Sequence, residues 1–197
     1  MVLTVSMLKL KYSQYSNILD KIKRETRDGK LIRLTNGIYE TDSTVDPMFL
    51  AQPILSPSYI SFDYALSYYG LIPERVSAIT SASLNVRKRK TYKNNFGRFE
   101  YSDIPARCFP YDILLINQKE YCCKIATKEK ALCDSLYKWS KVSSIKDLKI
   151  LLFEDKRIDE EEFKSLDFNE ILKIAPLYRK TNLNLLVKLV KKKYINE

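Results

Sequence analysis

The sequence predicts an α+β chain: an abbreviated winged-helix unit over residues 1–40, then an α+β region over residues 41–197 with a mainly antiparallel sheet and C-terminal helices. Three observations predict it. A cationic helix-like stretch runs into a short glycine-punctuated hairpin before residue 41. The apolar period shifts toward two from Val76 to Ala126, and helix-start signals recur from Thr127 onward. A hydrophobic content of 45% over 197 residues is enough for a packed core.

The N-terminal unit is read from Tyr12 to Tyr39. Tyr12 to Asp28 has the pattern of a helix, with Ile18 and Ile22 beside cationic Lys21, Lys23, Arg24 and Arg27, and Gly29 suits its C-cap. Leu31, Ile32 and Leu34 then alternate with Lys30, Arg33 and Thr35, and Asn36-Gly37 is the pair that a type I′ hairpin turn wants. A basic helix followed by a cationic hairpin suits DNA, with the helix in a groove and the wing on the backbone. Lys21, Lys23, Arg24, Arg27, Lys30 and Arg33 are then the phosphate contacts, Tyr12, Gln14, Tyr15 and Asn17 lie nearest the bases, and Thr35 and Asn36 belong to the wing. A solvated helix capped by an ordinary hairpin stays open on these residues alone. The segment before Tyr12 is too short for two ordinary helices and their turn, which leaves one clear helix to be supported by dimerisation or by the helices beyond the hairpin.

Beyond the hairpin, Asp46-Pro47 is an N-cap with proline at the first helical position, and Pro53 interrupts the segment it opens. Phe62 to Tyr69, closed by Gly70, is a helix with Phe62, Ala65, Leu66 and Tyr69 on one core-facing side. Strands are predicted at Ser77 to Leu84, Lys90 to Lys93, Arg98 to Tyr101, Asp112 to Ile116 and Tyr121 to Ala126, with turns at Asn94 to Gly97 and Asn117 to Lys119. Thr127 caps a helix to Trp139 whose Ala131, Leu132, Ser135 and Leu136 share a face. Ser144-x-x-Asp147 and Asp167-x-x-Glu170 resemble capping boxes, Pro176 breaks a helix, and Thr181 starts a last one before Lys191-Lys192-Lys193.

The formal charge of +10 and a pI near 9.3 favour a polyanionic partner. Residues 1–40 carry 8 Lys/Arg against 4 Asp/Glu, residues 41–75 carry 1 against 4, and residues 76–130 carry 11 against 5. Two basic regions therefore flank an acidic one. In the second, Arg87 to Lys90 either grips phosphates or guards a loop or edge strand. No apolar run is long enough to span a bilayer and the first residues lack a cationic lead, so a cytoplasmic protein with no membrane partner is expected. Cys108, Cys122, Cys123 and Cys133 show no CxxC spacing, and the chain has no histidine; free, mostly buried thiols and no metal or cofactor are expected. Cys122 and Cys123 should point to opposite faces of a strand.

An enzyme reading rests on Asp112, Glu120 and Lys124, which resemble the carboxylates and lysine of a PD-(D/E)xK-like magnesium-dependent nuclease. Glu120 and Lys124 are one step further apart than that arrangement wants, and no Gly-rich phosphate loop or Gly-x-Ser-x-Gly elbow occurs, so no catalytic residue is assigned. The acidic run Asp159 to Glu162 reads as a helix start, where carboxylates meet the positive end of the dipole.

Pro57 to Glu74, a strand region containing Phe96-Gly97, and Ile125-Ala126-Thr127-Lys128-Glu129-Lys130-Ala131-Leu132-Cys133-Asp134 together resemble the AbiEi-type antitoxin family. The likeness runs in order from about Gly29 to about Trp139; residues after Ser140 match nothing nameable. The resemblance implies an antitoxin of a bacterial type IV toxin–antitoxin, abortive-infection system. Its winged helix would repress its own operon by binding double-stranded operator DNA. The remainder would counter a nucleotidyltransferase-like toxin, either by contact or without a stable complex, and a homodimer is left open. A non-enzymatic protein-interaction module is the third alternative, with the basic surface serving solubility or an acidic partner.

Overall fold

The structure, a computed structural model, describes residues 1–84 and 86–192. Lys193 of the predicted basic end lies outside the described residues. No helix among them is long and apolar enough to cross a membrane.

The N-terminal residues form a small sheet with two helices. β1 (Val2–Thr4) leads into α1 (Val5–Lys11), and α2 (Ile18–Arg27) precedes the hairpin of β2 (Ile32–Thr35) and β3 (Ile38–Glu40). The strands are antiparallel in the order β1-β3-β2. Leu3, Leu8, Tyr12, Ile22 and Leu31 form their own buried cluster.

Three expectations are corrected by this unit. The segment before Tyr12 does hold a helix, because the Thr4 side chain accepts from the Met7 amide and starts α1. The next helix starts at Ile18 rather than Tyr12, since Asn17 accepts from the Asp20 amide; Tyr12 to Ser16 connect the two. The hairpin is not type I′, because only Gly37 has positive φ and the ladder is bulged between Arg33 and Thr35. The Gly29 cap is as expected. With φ at +74° it lets its own amide reach Thr26 and the Lys30 amide reach the Glu25 carbonyl, the paired bonds of a Schellman motif.

A six-stranded sheet organises the rest. Its strands are β4 (Ser58–Ile60), β5 (Ile79–Ser83), β6 (Lys90–Asn94), β7 (Gly97–Asp103), β8 (Ile113–Gln118) and β9 (Tyr121–Ala126), in the order β6-β7-β5-β4-β9-β8. Adjacent pairs β6–β7, β4–β5 and β8–β9 are antiparallel, but β5–β7 and β4–β9 are parallel, so the sheet is mixed. The short β4 was not expected. Asp46 caps a 3-10 turn at Pro47–Leu50 that continues as α3 (Ala51–Ile54); Pro53 sits inside α3 instead of interrupting it, because a first-turn amide has no helical partner to lose.

The two faces of the sheet are covered by different segments. On one lie α4 (Phe62–Tyr68) and α5 (Lys128–Lys138), with Phe62, Ala65, Leu66, Ala131, Leu132, Ser135 and Leu136 buried as expected. On the other, the Tyr101 hydroxyl donates to the Ala51 carbonyl at 2.6 Å. Further helices follow: α6 (Ile145–Lys149), continuing into a π-helical turn to Asp155, packs on α9 (Thr181–Val190); α8 (Phe168–Ile174) and α9 pack on α5; and α7 (Glu160–Lys164) is tied to α5 by the Lys128–Glu162 ion pair. Ser144 and Asp167 cap α6 and α8 as their spacing implied, and Asp159 caps α7 at the helix start that the acidic run marks.

The small sheet is docked on the large one. Leu34 of β2 belongs to the main core, its carbonyl accepts from Asn94 of β6 at 3.0 Å, and buried Glu40 of β3 accepts from the Tyr121 hydroxyl at 2.9 Å.

Candidate nucleic-acid interface

Amphipathic geometry sorts the cations of α2. Ile22 and Glu25 are buried, so Asp20, Lys23, Arg24 and Arg27, spaced i, i+3, i+4 and i+7, form the exposed stripe. With Tyr15, Ser16, Asn17 and Lys21 they line a shallow groove of about 490 Å³. Arg24 has no ion pair among the described residues; Lys23 lies 3.6 Å from Asp20, and Arg27 lies 3.5 Å from Asp28.

Two assigned residues are corrected by this packing. Lys21 is held inward: its ammonium is 2.5 Å from the Glu25 carboxylate and sits 5.5 Å from the Tyr12 ring centre and 4.8 Å from that of Tyr15. The Glu25 hydrogen bond and charge raise the Lys21 pKa, and the same contact lowers that of Glu25. Lys21 therefore fastens the helix to the preceding turn and is a poor phosphate ligand. Tyr12 is buried in the small core and cannot approach a base edge. Gln14, Tyr15 and Asn17 stay exposed in the turn and at the cap of α2, and Lys30 and Arg33 are exposed beyond it. Arg33 donates to the Asn36 side chain across the hairpin turn, while Thr35 is half-buried.

The second basic segment lies beside the β2–β3 hairpin. β6 runs next to β2 and places Lys93 opposite Arg98 across the β6–β7 hairpin. Directly opposed like charges destabilise a strand pair. Arg98 is partly compensated at 3.1 Å by Glu100, which also pairs with Arg89. Thus the basic β6–β7 hairpin and the β2–β3 hairpin share one region of the surface, a juxtaposition that the charge count alone did not reveal.

The segments that carry the family resemblance meet in the core. Tyr59 and Ser61 donate to one oxygen of Asp134 at 2.9 and 2.7 Å, and Tyr178 donates to the other at 2.5 Å. Lys130, one turn before Asp134, donates to that second oxygen at 3.2 Å, to the Tyr178 hydroxyl at 2.6 Å and to the Cys108 carbonyl at 2.7 Å. Lys130 and Asp134 are fully buried. Burial first, and the Asp134 charge second, push the Tyr59 and Tyr178 hydroxyls well above the ordinary phenol value, so both remain donors. Ser61 is fixed in turn by Thr80, whose hydroxyl donates to the Ser61 carbonyl at 2.6 Å and accepts from the Tyr64 amide at 3.0 Å. Phe62 between them takes φ of 59°, a strained value for an aromatic residue that this clamp maintains.

Asp112, Glu120 and Lys124 are not brought together. Asp112 precedes one end of β8, whereas Glu120 lies in the turn at the other end, about 20 Å away along a six-residue strand. One Asp112 oxygen is buried without a hydrogen-bond partner among the described residues, and burial followed by the Glu170 charge raises its pKa. No group of three or more acidic or cysteine side chains suited to a metal occurs among the described residues. Cys108, Cys123 and Cys133 are buried free thiols and Cys122 is exposed, as the strand alternation implied. No family model matches the chain, and no curated protein matches it.

Proposed function

We propose that the chain is the antitoxin of a type IV toxin–antitoxin system in the cytoplasm, that it represses its own operon, and that its region after the wing counters a nucleotidyltransferase-like toxin. The observation that carries the DNA-binding part is the exposed stripe Lys23, Arg24 and Arg27 on a helix that runs through a Gly cap into a hairpin bearing Lys30 and Arg33. A cationic helix followed by a basic hairpin suits entry of the helix into the major groove with the hairpin on phosphate. The antitoxin part rests on the resemblance. It is supported by the way Tyr59 and Ser61 of the first motif hold Asp134 of the last, so that the matching segments act as one structural unit.

Full-length protein titrated against its own upstream DNA and against random duplex at several salt concentrations tests the reading. Arg33→Ala should weaken binding to both alike and reduce the salt slope by about one unit, while Gln14→Ala should mainly reduce the preference for the operator. Unchanged operator binding in both variants would overturn these assignments. A triple Lys23→Ala, Arg24→Ala, Arg27→Ala variant should lose repression yet still rescue cells from the cognate toxin. Loss of rescue in a folded triple variant would contradict the division between DNA binding and neutralisation.

A further inference from the structure

The two edges of the six-stranded sheet are guarded differently. At one, β6 carries Lys90 and Lys93, follows the exposed Arg87-Lys88-Arg89, and is partly covered by β2. At the other, β8 ends the sheet, pairs with β9 without a register shift, and contains no charge and no proline. No strand pairs with its outer side among the described residues. Leu114 and Leu115, which alternate to opposite faces, are 50% and 58% exposed, and Tyr111 just before them is 49% exposed. An apolar cleft of about 450 Å³ runs along the same edge, lined in part by Pro57, Phe109, Pro110 and Ile113. A long, uncharged, apolar edge is a template for strand addition, and proteins that leave it bare aggregate.

We propose that β8 is a homodimer interface at which two copies pair antiparallel across a two-fold axis, joining their sheets into one. The charge distribution selects a second copy as the occupant. In a chain of net charge +10, self-association through β6 would set lysines against lysines, whereas β8 meets itself with no like charges opposed. Antiparallel self-pairing also closes under a two-fold operation, so the edge is consumed instead of propagated. A register centred on Leu115 sets that residue opposite its own copy and Leu114 opposite Ile116, so each exposed leucine gains an apolar neighbour across the new strand pair.

Light scattering on the full-length protein under reducing conditions, which keep exposed Cys122 out of the result, should give twice the chain mass of 23.1 kDa. Leu115→Lys and, separately, Leu114→Lys place a charge on the edge and should raise the dimer dissociation constant at least roughly tenfold. Thr91→Lys on β6 should leave it unchanged. Hydrogen exchange on the unaltered chain keeps the test independent of variant folding: amides of Ile113 to Gln118 should be better protected as protein concentration rises. A single-chain mass throughout the micromolar range, a dimer indifferent to both leucine variants, or exchange independent of concentration would each overturn the proposal. So would protection of β8 that requires the cognate toxin.

Discussion

At the scale of single residues, a lysine and an aspartate that are both shut away from water hold each other through a shared set of hydrogen bonds. Lys130 places all three ammonium protons, and Asp134 takes four donors. Removing one member leaves the other charge buried and alone, so Lys130→Met should cost about 3–5 kcal/mol in denaturant unfolding, while adding Asp134→Leu should restore much of that loss. A loss of that size is a large fraction of the roughly 5–15 kcal/mol that stabilises a typical domain. Were the double variant no more stable than the single one, the pair's value would lie in its hydrogen bonds to Tyr59, Ser61 and Tyr178. Asp112 is the opposite case, since one buried oxygen has no partner among the described residues. Asp112→Asn removes the charge and tolerates the left-handed backbone at φ 53°, so its melting temperature should match or exceed that of the parent. A drop equivalent to more than about 1 kcal/mol would show that the carboxylate is stabilising.

Elements show why some cations of one helix are free to meet a ligand and others are tied to the protein itself. In salt titrations with duplex DNA, Arg24→Ala should lower the slope by about one unit, whereas Lys21→Ala should leave it almost unchanged and reduce the melting temperature. Equal slope changes in the two variants would place Lys21 on the DNA after all. The sequence already contained the signal for this distinction, because Lys21 and Glu25 stand four apart; weighing each lysine by charge alone ignored which side of the helix its partner occupies. Elements with their own local chemistry were legible: the Gly29 cap, the Ser144 and Asp167 caps, the helix start at the Asp159 run, and the β8–β9 strand pair. Short elements were not. α1 depends on Thr4 as its cap and on burial of Leu8 against the small sheet, and three-residue β4 exists because neighbours on both sides pair with it. The Asp134 cluster was legible only as two separate motifs, since residue spacing cannot show that Tyr178 closes it.

For the whole molecule, acid should loosen the join between the two sheets. Burial of Glu40 by itself would raise its pKa. Hydrogen bonds from the amino terminus, the Asp42 and Thr41 amides and the Tyr121 hydroxyl outweigh this and hold it below the ordinary 4.5. Lys21 similarly lowers Glu25. Groups depressed on folding contribute stability that is present above their unfolded pKa and lost as pH falls through the folded one. Stability should therefore decline below about pH 4.5, and Glu40→Gln should flatten that decline while lowering stability at neutral pH. A variant with the parent's acid profile would show that Glu40 is not a main contributor. The Asp134 cluster also imposes an order in time on a chain made from its N-terminus. Tyr178 follows Asp134 by 44 positions, which synthesis at about 5–20 residues per second covers in roughly two to nine seconds. Throughout that interval the nascent chain already has the strands, Lys130 and Asp134 but lacks the hydroxyl that bridges them. A ribosome stalled before Tyr178 would hold a protein whose sheet is complete in sequence and whose centre cannot yet close.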